Sequence, residues 1–165
     1  MFGRRRAALR DPRAEYEAHR LDVLTRTPQA VDWTPTPRLP DVWAAVVETG
    51  LPWGGSTLVA LAGGSAELFT STGKHSSGGG AADVDVRAAV IGLLLVLQSR
   101  LEDLEPTDSL ALPGAGYVAM RALTRQGQRV VVAGERPLVD GIHPLSTVHF
   151  AALEVVHQLT AHDPA

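Results

Sequence analysis

Two β-hairpin signals place an antiparallel sheet at the centre of the chain. The segments STLVALA and AELFTST are separated by Gly63-Gly64, and the segments GYVAMRALTR and QRVVVAGE meet at Gln126-Gly127. Apolar segments joined by a tight glycine-containing turn are typical of hairpins. The segment DSLALP, which lies between these two hairpins, adds a short strand. We therefore predict an antiparallel sheet of five strands.

Three helices are predicted to cover this sheet. The segment DVWAAVVETG starts at an aspartate and stops at a glycine, which favours a short helix. A long helix is expected from about Asp83 or Asp85 to Leu104, and the segment LSTVHFAALEVVHQLTAH predicts a closing helix. The segment RPLVDGIHP before it is predicted to be a loop. The expected fold class is α+β, with the order α-β-β-α-β-β-β-α over residues 41–162 and a tail at 163–165.

Residues 1–40 are predicted to form a basic N-terminal arm and a proline-rich linker. Asp11 and Pro12 fit the N-cap and first position of a helix, which carries only a thin apolar stripe that includes Tyr16 and Leu24. The segment TPQAVDWTPTPRLP then holds four prolines in 14 residues, which is typical of a stiff connector. We expect this arm to lie outside the sheet core.

The long helix is apolar around its whole circumference. One stripe is wide enough to cover a sheet and consists of Val86, Val90, Leu93, Leu94, Leu97, Leu101 and Leu104. A second face comprises Ala88, Ile91, Gly92, Leu95 and Val96, with Ser99 beyond. A helix that is apolar on all sides is buried on all sides, so the second face must meet either the N-terminal arm or a second copy of the chain. We favour a homodimer whose interface is formed by Ala88, Ile91, Gly92, Leu95 and Ser99.

The element order between Asp41 and Ala161 resembles that of the Roadblock/longin superfamily, specifically its Roadblock (dynein light chain) type. The resemblance rests on a long middle helix between a two-strand hairpin and a three-strand meander. It implies a two-fold dimer built from that helix and a neighbouring strand. It also implies a module that scaffolds complexes or regulates small GTPases by binding them. The expected function is thus a non-enzymatic protein–protein interaction module with an unknown protein partner, for which a small GTPase is one candidate.

The segment STGKHSSGGG raises the alternative of a ligand-binding protein or an enzyme. A nucleotide phosphate loop needs a glycine where this chain has Leu68, and a hydroxyl residue where it has His75. We therefore predict a flexible loop. The open alternative is an anion site formed by Lys74, His75, Gly79 and Gly80, because glycine amides before a helix can attract an anion. A structural or toxin-neutralising protein is the third possibility.

The six histidines show no metal-ligand spacing in the sequence. His149 and His157 are eight positions apart, which is too far along a helix for one ion. Asp140, His143 and Ser146 lie within seven residues, but closeness in sequence does not make a nucleophile and a base converge in space. A polar turn with Ser146 near the helix cap is the preferred interpretation. We therefore predict no metal, no cofactor and no catalytic residue.

Charge and hydropathy limit the possible partners. Residues 1–31 hold seven arginines and four acids, whereas the remainder holds eight basic and 14 acidic residues. An acidic body argues against nucleic-acid binding, which needs clustered positive charge. The longest apolar run, at residues 88–97, is about half of what spans a bilayer. We expect no transmembrane segment and a cytoplasmic protein.

Overall fold

The computed structural model describes residues 10–161, and it contains a seven-stranded antiparallel sheet with helices on both faces. The elements in chain order are α1 (Pro12–Thr25), β1 (Val42–Leu51), β2 (Gly54–Leu61), β3 (Ser65–Thr70), β4 (His75–Gly79), α2 (Val84–Ser99), β5 (Glu105–Thr107), β6 (Tyr117–Thr124), β7 (Gly127–Gly134), α3 (Glu135–Val139) and α4 (Ser146–Thr160), with 3₁₀ turns at Pro28–Val31 and Leu101–Asp103. The strand order across the sheet is β4-β3-β2-β1-β6-β7-β5. The predicted α+β class is confirmed. Residues 1–9 of the basic N-terminal arm and the C-terminal tail at 163–165 lie outside the described residues.

The sheet separates two cores. Along the central strand β1, Ala45 and Val47 belong to the core under α2 and α4, whereas Ala44 and Val46 belong to the core under α1. This alternation follows from the strand geometry, in which successive side chains point to opposite faces. Both faces of β1 are therefore buried, and its first six residues, 42–47, are all apolar.

The segment predicted to be the first helix of the domain is the central strand β1, so that prediction was wrong. It pairs with β2 on one side and β6 on the other. A short continuous apolar run fits a strand buried on both faces as well as a helix. Its valines and tryptophan favour the strand.

The glycine-rich segment was predicted to be a flexible loop, but half of it, His75–Gly79, is the edge strand β4. It pairs with β3 in a regular antiparallel register from Phe69 with His75 to Ser65 with Gly79. Glycine is required at the end of this strand, because a Cβ on Gly79 would lie 2.2 Å from the carbonyl oxygen of Gly64. The glycines therefore serve close strand pairing.

The segment DSLALP is not a strand. The third strand of the predicted meander is β5, which lies just before that segment and pairs with β7. The carbonyls of Ser109, Leu110 and Ala111 instead accept hydrogen bonds from two arginine side chains. These bonds replace the strand ladder, and the segment packs over the α1 face of the sheet. The sheet therefore has seven strands, and the five-strand prediction was wrong in number.

The two predicted hairpins, β2–β3 and β6–β7, are confirmed. The long helix is also present as α2, and the Asp83 side chain caps it by accepting from the backbone N–H of Val86. It ends at Ser99, earlier than expected, and the 3₁₀ turn follows. The closing helix is present as α4, and the loop before it contains the short helix α3.

The N-terminal helix α1 packs onto the sheet and does not remain outside the core. Asp11 caps it as predicted, by accepting from the N–H of Arg13. Tyr16, Val23 and Leu24 are buried against the sheet, together with Trp43 of β1 and other residues of the same core. The glycine at position 55 makes room for this contact, because a Cβ there would lie 2.7 Å from the Tyr16 hydroxyl. The arm therefore covers one face of the sheet.

Across residues 10–161, the helices are too short or too polar to cross a membrane.

Candidate functional site

The proposed dimer residues lie together on the outer side of α2. Ala88, Gly92 and Ser99 are exposed, and Ile91 and Leu95 are half-buried. All of them except Ser99 line a surface groove together with Arg38, Val84 and Arg87. Helix α1 packs on the opposite face of the sheet and therefore does not cover this side of α2.

We call the outer surface of α2 formed by Val84, Ala88, Ile91, Gly92, Leu95 and Ser99 the α2 face. Gly92 is the unusual residue within it. A Cβ placed on Gly92 would have no neighbouring atom within 4 Å, so nothing else in the described chain requires a glycine there. A glycine inside a helix costs about 1 kcal/mol relative to alanine. Its presence therefore calls for an explanation from outside the described chain.

A second exposed apolar surface lies on α3, on α4 and on the segment between them. Val139, Ile142, Phe150 and Leu153 are each between 46% and 76% exposed. The segment before α4 adjoins the Phe150 ring, since a Cβ on Gly141 would lie 3.9 Å from it. Clusters of exposed apolar side chains often mark interaction sites. We refer to these four residues as the α4 patch.

The four residues of the alternative anion site do not come together. Lys74 and His75 lie at the start of β4, and Gly79 and Gly80 lie at its end. A strand rises about 3.3 Å per residue, so the two pairs are well over 10 Å apart. The N–H of Gly80 already donates to the carbonyl of Gly64. One anion cannot contact all four residues.

The polar turn before α4 forms local hydrogen bonds. His143 Nδ1 accepts from the N–H of Leu145 at 3.1 Å, and the Ser146 hydroxyl lies 3.5 Å from the carbonyl of Pro137. The N-cap is Leu145, and no side chain caps the helix, so Ser146 does not have the predicted capping role. Asp140 lies 3.7 Å from Arg136. These contacts give the turn a structural role.

The structure brings together two histidines and a glutamate that the sequence spacing did not connect. His19 Nε2 lies 3.0 Å from Glu67 Oε2, and His75 Nε2 lies 3.3 Å from the same oxygen. The three residues come from α1, β3 and β4. His19 packs on Phe69, with 4.4 Å between the ring centroids. Sequence analysis missed the cluster because it treated the β4 segment as a loop, whereas the β3–β4 register puts Glu67 and His75 on the same face.

A buried ionic network lies further along the same face of the sheet. The Glu48 side chain is fully buried and accepts hydrogen bonds from Arg20 Nε and from Arg121 Nε. Arg20 also donates to the carbonyl of Leu110 at 2.6 Å, and Arg121 donates to the carbonyls of Ser109 and Ala111 at 2.8 and 3.0 Å. The network therefore ties together α1, β1, β6 and the segment after β5.

His149 is the buried titratable group of the opposite core. Neither of its ring nitrogens has a hydrogen-bond partner within the described part of the chain. Burial lowers the pKa of His149 below its ordinary value, and the nearby Glu135 carboxylate partly opposes this shift. The ring is therefore held in its neutral form.

No family model, curated protein or solved structure matches this chain. The function must therefore be inferred from the surfaces and clusters described above.

Proposed function

We propose that this protein is a non-enzymatic interaction module that works as a homodimer, with the α2 face as its interface. The observation that carries the proposal is Gly92, which lies mid-helix on an exposed surface, where an added Cβ would meet no atom of residues 10–161 within 4 Å. Close approach of a second helix would explain a glycine at this position. The half-buried Ile91 and Leu95 beside it would supply the apolar contact.

The sizes of the side chains along α2 suit an antiparallel pair of helices. With a two-fold axis between Ile91 and Gly92, Ile91 lies opposite Gly92 of the second copy. Ala88 then lies opposite Leu95, and Val84 lies opposite Ser99. Each large side chain faces a small one, and the two-fold axis repeats every contact.

Burial of the α2 face would be favourable. Removing an isoleucine or leucine side chain from water contributes roughly 1.5–3 kcal/mol, and the half-buried residues here would gain part of that amount. Val84 has the most to gain, because it is 72% exposed. Since every residue counts twice in a two-fold dimer, the α2 face can offset part of the cost of association.

The proposed role is that of a scaffold or regulator. The α4 patch would remain available in the dimer, because its residues lie on α3, on α4 and on the segment between them. The resemblance to Roadblock-type domains supports this role through a long helix that is followed by three strands. Four strands precede α2 where a helix and a hairpin were expected. A small GTPase is one candidate partner. A structural or toxin-neutralising role would use the same surfaces.

Two charge substitutions test which surface forms the dimer. We expect Leu95→Glu to give a folded monomer, because it places two like charges in the interface. Phe150→Glu, on the α4 patch, is the matched control and should remain dimeric. Light scattering measures the molar mass, and circular dichroism checks the fold. A dimer that survives Leu95→Glu but is lost in Phe150→Glu would place the interface on the α4 patch and disprove the proposal.

A further inference from the structure

The cluster of His19, Glu67 and His75 has the composition and spacing of a metal site. Its three candidate ligand atoms, two imidazole nitrogens and a carboxylate oxygen, all lie within 4.8 Å of one another. The three residues are contributed by three different elements, and His19 and Glu67 are 48 positions apart in sequence. Their convergence is a product of the fold.

We propose that these three residues bind a divalent transition-metal ion. For metal–ligand bonds of about 2.0–2.2 Å, neighbouring ligand atoms of a tetrahedral ion lie about 3.3 Å apart. The separations of 3.0 and 3.3 Å between Glu67 Oε2 and the two Nε2 atoms are close to that value. Small side-chain shifts would therefore convert the hydrogen-bonded cluster into a coordination sphere.

The donor set selects the class of metal. Imidazole suits zinc, copper, nickel and iron, whereas calcium and magnesium prefer sites made only of oxygen ligands. Zinc is the first choice, because two histidines and one glutamate are an established zinc ligand set. The single carboxylate would leave a net positive charge at the centre when the ion is bound.

The site would keep one coordination position open. His19 and His75 line a groove of about 150 Å³ together with Pro12, Glu15 and Lys74. The side chains of His19 and His75 are 37% and 53% exposed, so solvent reaches the cluster. Three protein ligands and an accessible fourth position are characteristic of metal sites that exchange water or bind a further ligand.

The protein holds the ligands in place before any ion arrives. His19 is fixed by the helix backbone and by its contact with Phe69. Glu67 lies inside β3, which is paired on both sides, and His75 pairs with Phe69 across the ladder. Because the site joins α1 to the edge of the sheet, bound metal should stabilise the docking of α1.

The test uses the full-length, tag-free protein after treatment with a chelator. Isothermal titration with ZnCl₂ should show one saturable site per chain, and Co²⁺ bound in its place should give the visible absorption of a low-coordinate nitrogen-ligated ion. We expect His19→Gln, Glu67→Gln and His75→Gln each to weaken Zn²⁺ binding at least about tenfold, because even changes outside the ligand sphere can weaken metal binding by that factor. His157→Gln, which removes an exposed histidine on α4, is the matched control and should bind normally.

A second measurement distinguishes a structured metal site from nonspecific binding of Zn²⁺ to surface side chains. Zn²⁺ should raise the melting temperature of the native protein and slow hydrogen exchange in α1, and neither effect should occur in His75→Gln. Circular dichroism checks that each variant is folded, and the exposed position of His75 favours this outcome for that variant. The proposal is overturned if Zn²⁺ does not bind saturably, or if the three ligand variants bind it as well as His157→Gln does.

Discussion

The two faces of the sheet are held by different chemistry. On the α1 face, the buried side chains include the ion pairs of Arg20, Glu48 and Arg121 and the hydrogen-bonded Tyr16. On the other face, α2 and α4 cover the sheet mainly with leucine, valine and alanine. In the described chain, the buried arginine and glutamate side chains all lie on the α1 face.

The two faces therefore contribute differently to the fold: one supplies most of the stability, and the other determines where α1 docks. Apolar burial is non-directional and scales with area, so the α2–α4 core can supply most of the stability of the domain. A buried charge needs a partner in the correct place, so the α1 face fixes where the arm docks. An arm with few apolar residues can thus be held in one position.

The largest loss of stability is expected from a charge placed in the apolar core. Leu94 is fully buried on the inner side of α2, and Leu94→Glu would place an unpaired charge among apolar side chains. We expect this variant to be unfolded by circular dichroism. The neighbouring Leu95→Glu, on the outer side of the same helix, should retain the native spectrum. Equal loss of structure in both variants would show that the outer side is also part of the core.

A somewhat smaller loss of stability is expected from a substitution in the buried network of Arg20, Glu48 and Arg121. Glu48→Gln keeps the shape of the side chain but removes the negative charge between two buried arginines, which leaves Arg20 only the partly exposed Glu17, at 3.9 Å, within the described chain. Its amide nitrogen would also face an arginine donor. Urea unfolding should show a loss of about 3–5 kcal/mol. Asp22→Asn, which breaks the exposed ion pair with Arg26, is the control and should cost about 0.5 kcal/mol or less. A similar small loss for both variants would mean that the buried network does not hold the arm.

The hydroxyl of Tyr16 provides a finer test of the same face. It lies 2.9 Å from the hydroxyl of Thr57, which is itself buried. Tyr16→Phe leaves Thr57 without this partner and should lower the free energy of unfolding by about 1 kcal/mol. Thermal melts measured by circular dichroism would detect the change. Unchanged stability would show that solvent reaches Thr57 and replaces the bond.

The smallest change in stability is expected when the pH is lowered and His149, in the apolar core, becomes protonated. Because the pKa of His149 is lowered in the folded protein, the unfolded chain binds a proton near the ordinary value of 6.5 before the folded chain does. The associated stability is present above pH 6.5 and is lost as the pH falls toward the lowered pKa. His149→Leu should reduce this loss, as measured by urea unfolding at a series of pH values. The same pH dependence in native protein and variant would contradict the burial of a neutral ring.

Local patterns in the sequence were sufficient to predict the hairpins and the two long helices on the apolar face. Glycine-containing turns and the stripe on α2 depend on near neighbours in the chain, and they were confirmed. The strand β1 was missed because a short apolar run fits both a helix and a central strand. The strand β4 was missed because glycine and serine are weak strand formers.

The α1 face could not be predicted in the same way. Its helix carries a thin apolar stripe, and it docks through Arg20 and Tyr16, whose partners lie far away in sequence. The His19–Glu67–His75 cluster depends on the pairing of β3 with β4 and on the docking of α1. The docking of α1 is a long-range contact that single-sequence patterns do not reveal. The β3–β4 pairing is local, but β4 consists mostly of glycine and serine, which are weak strand formers.

The molar mass of Gly92→Leu is the most direct test of the proposed dimer. In a monomer, the Cβ of a leucine at this exposed helical position meets no atom of the described chain within 4 Å, and leucine has a higher helix propensity than glycine. In the dimer, it would hold the two helices apart. We expect the native protein to have twice the 17.5 kDa mass of one chain by sedimentation equilibrium. Gly92→Leu should be monomeric with an equal or higher melting temperature. A monomeric native protein, or a Gly92→Leu variant that remains dimeric, would contradict the proposal.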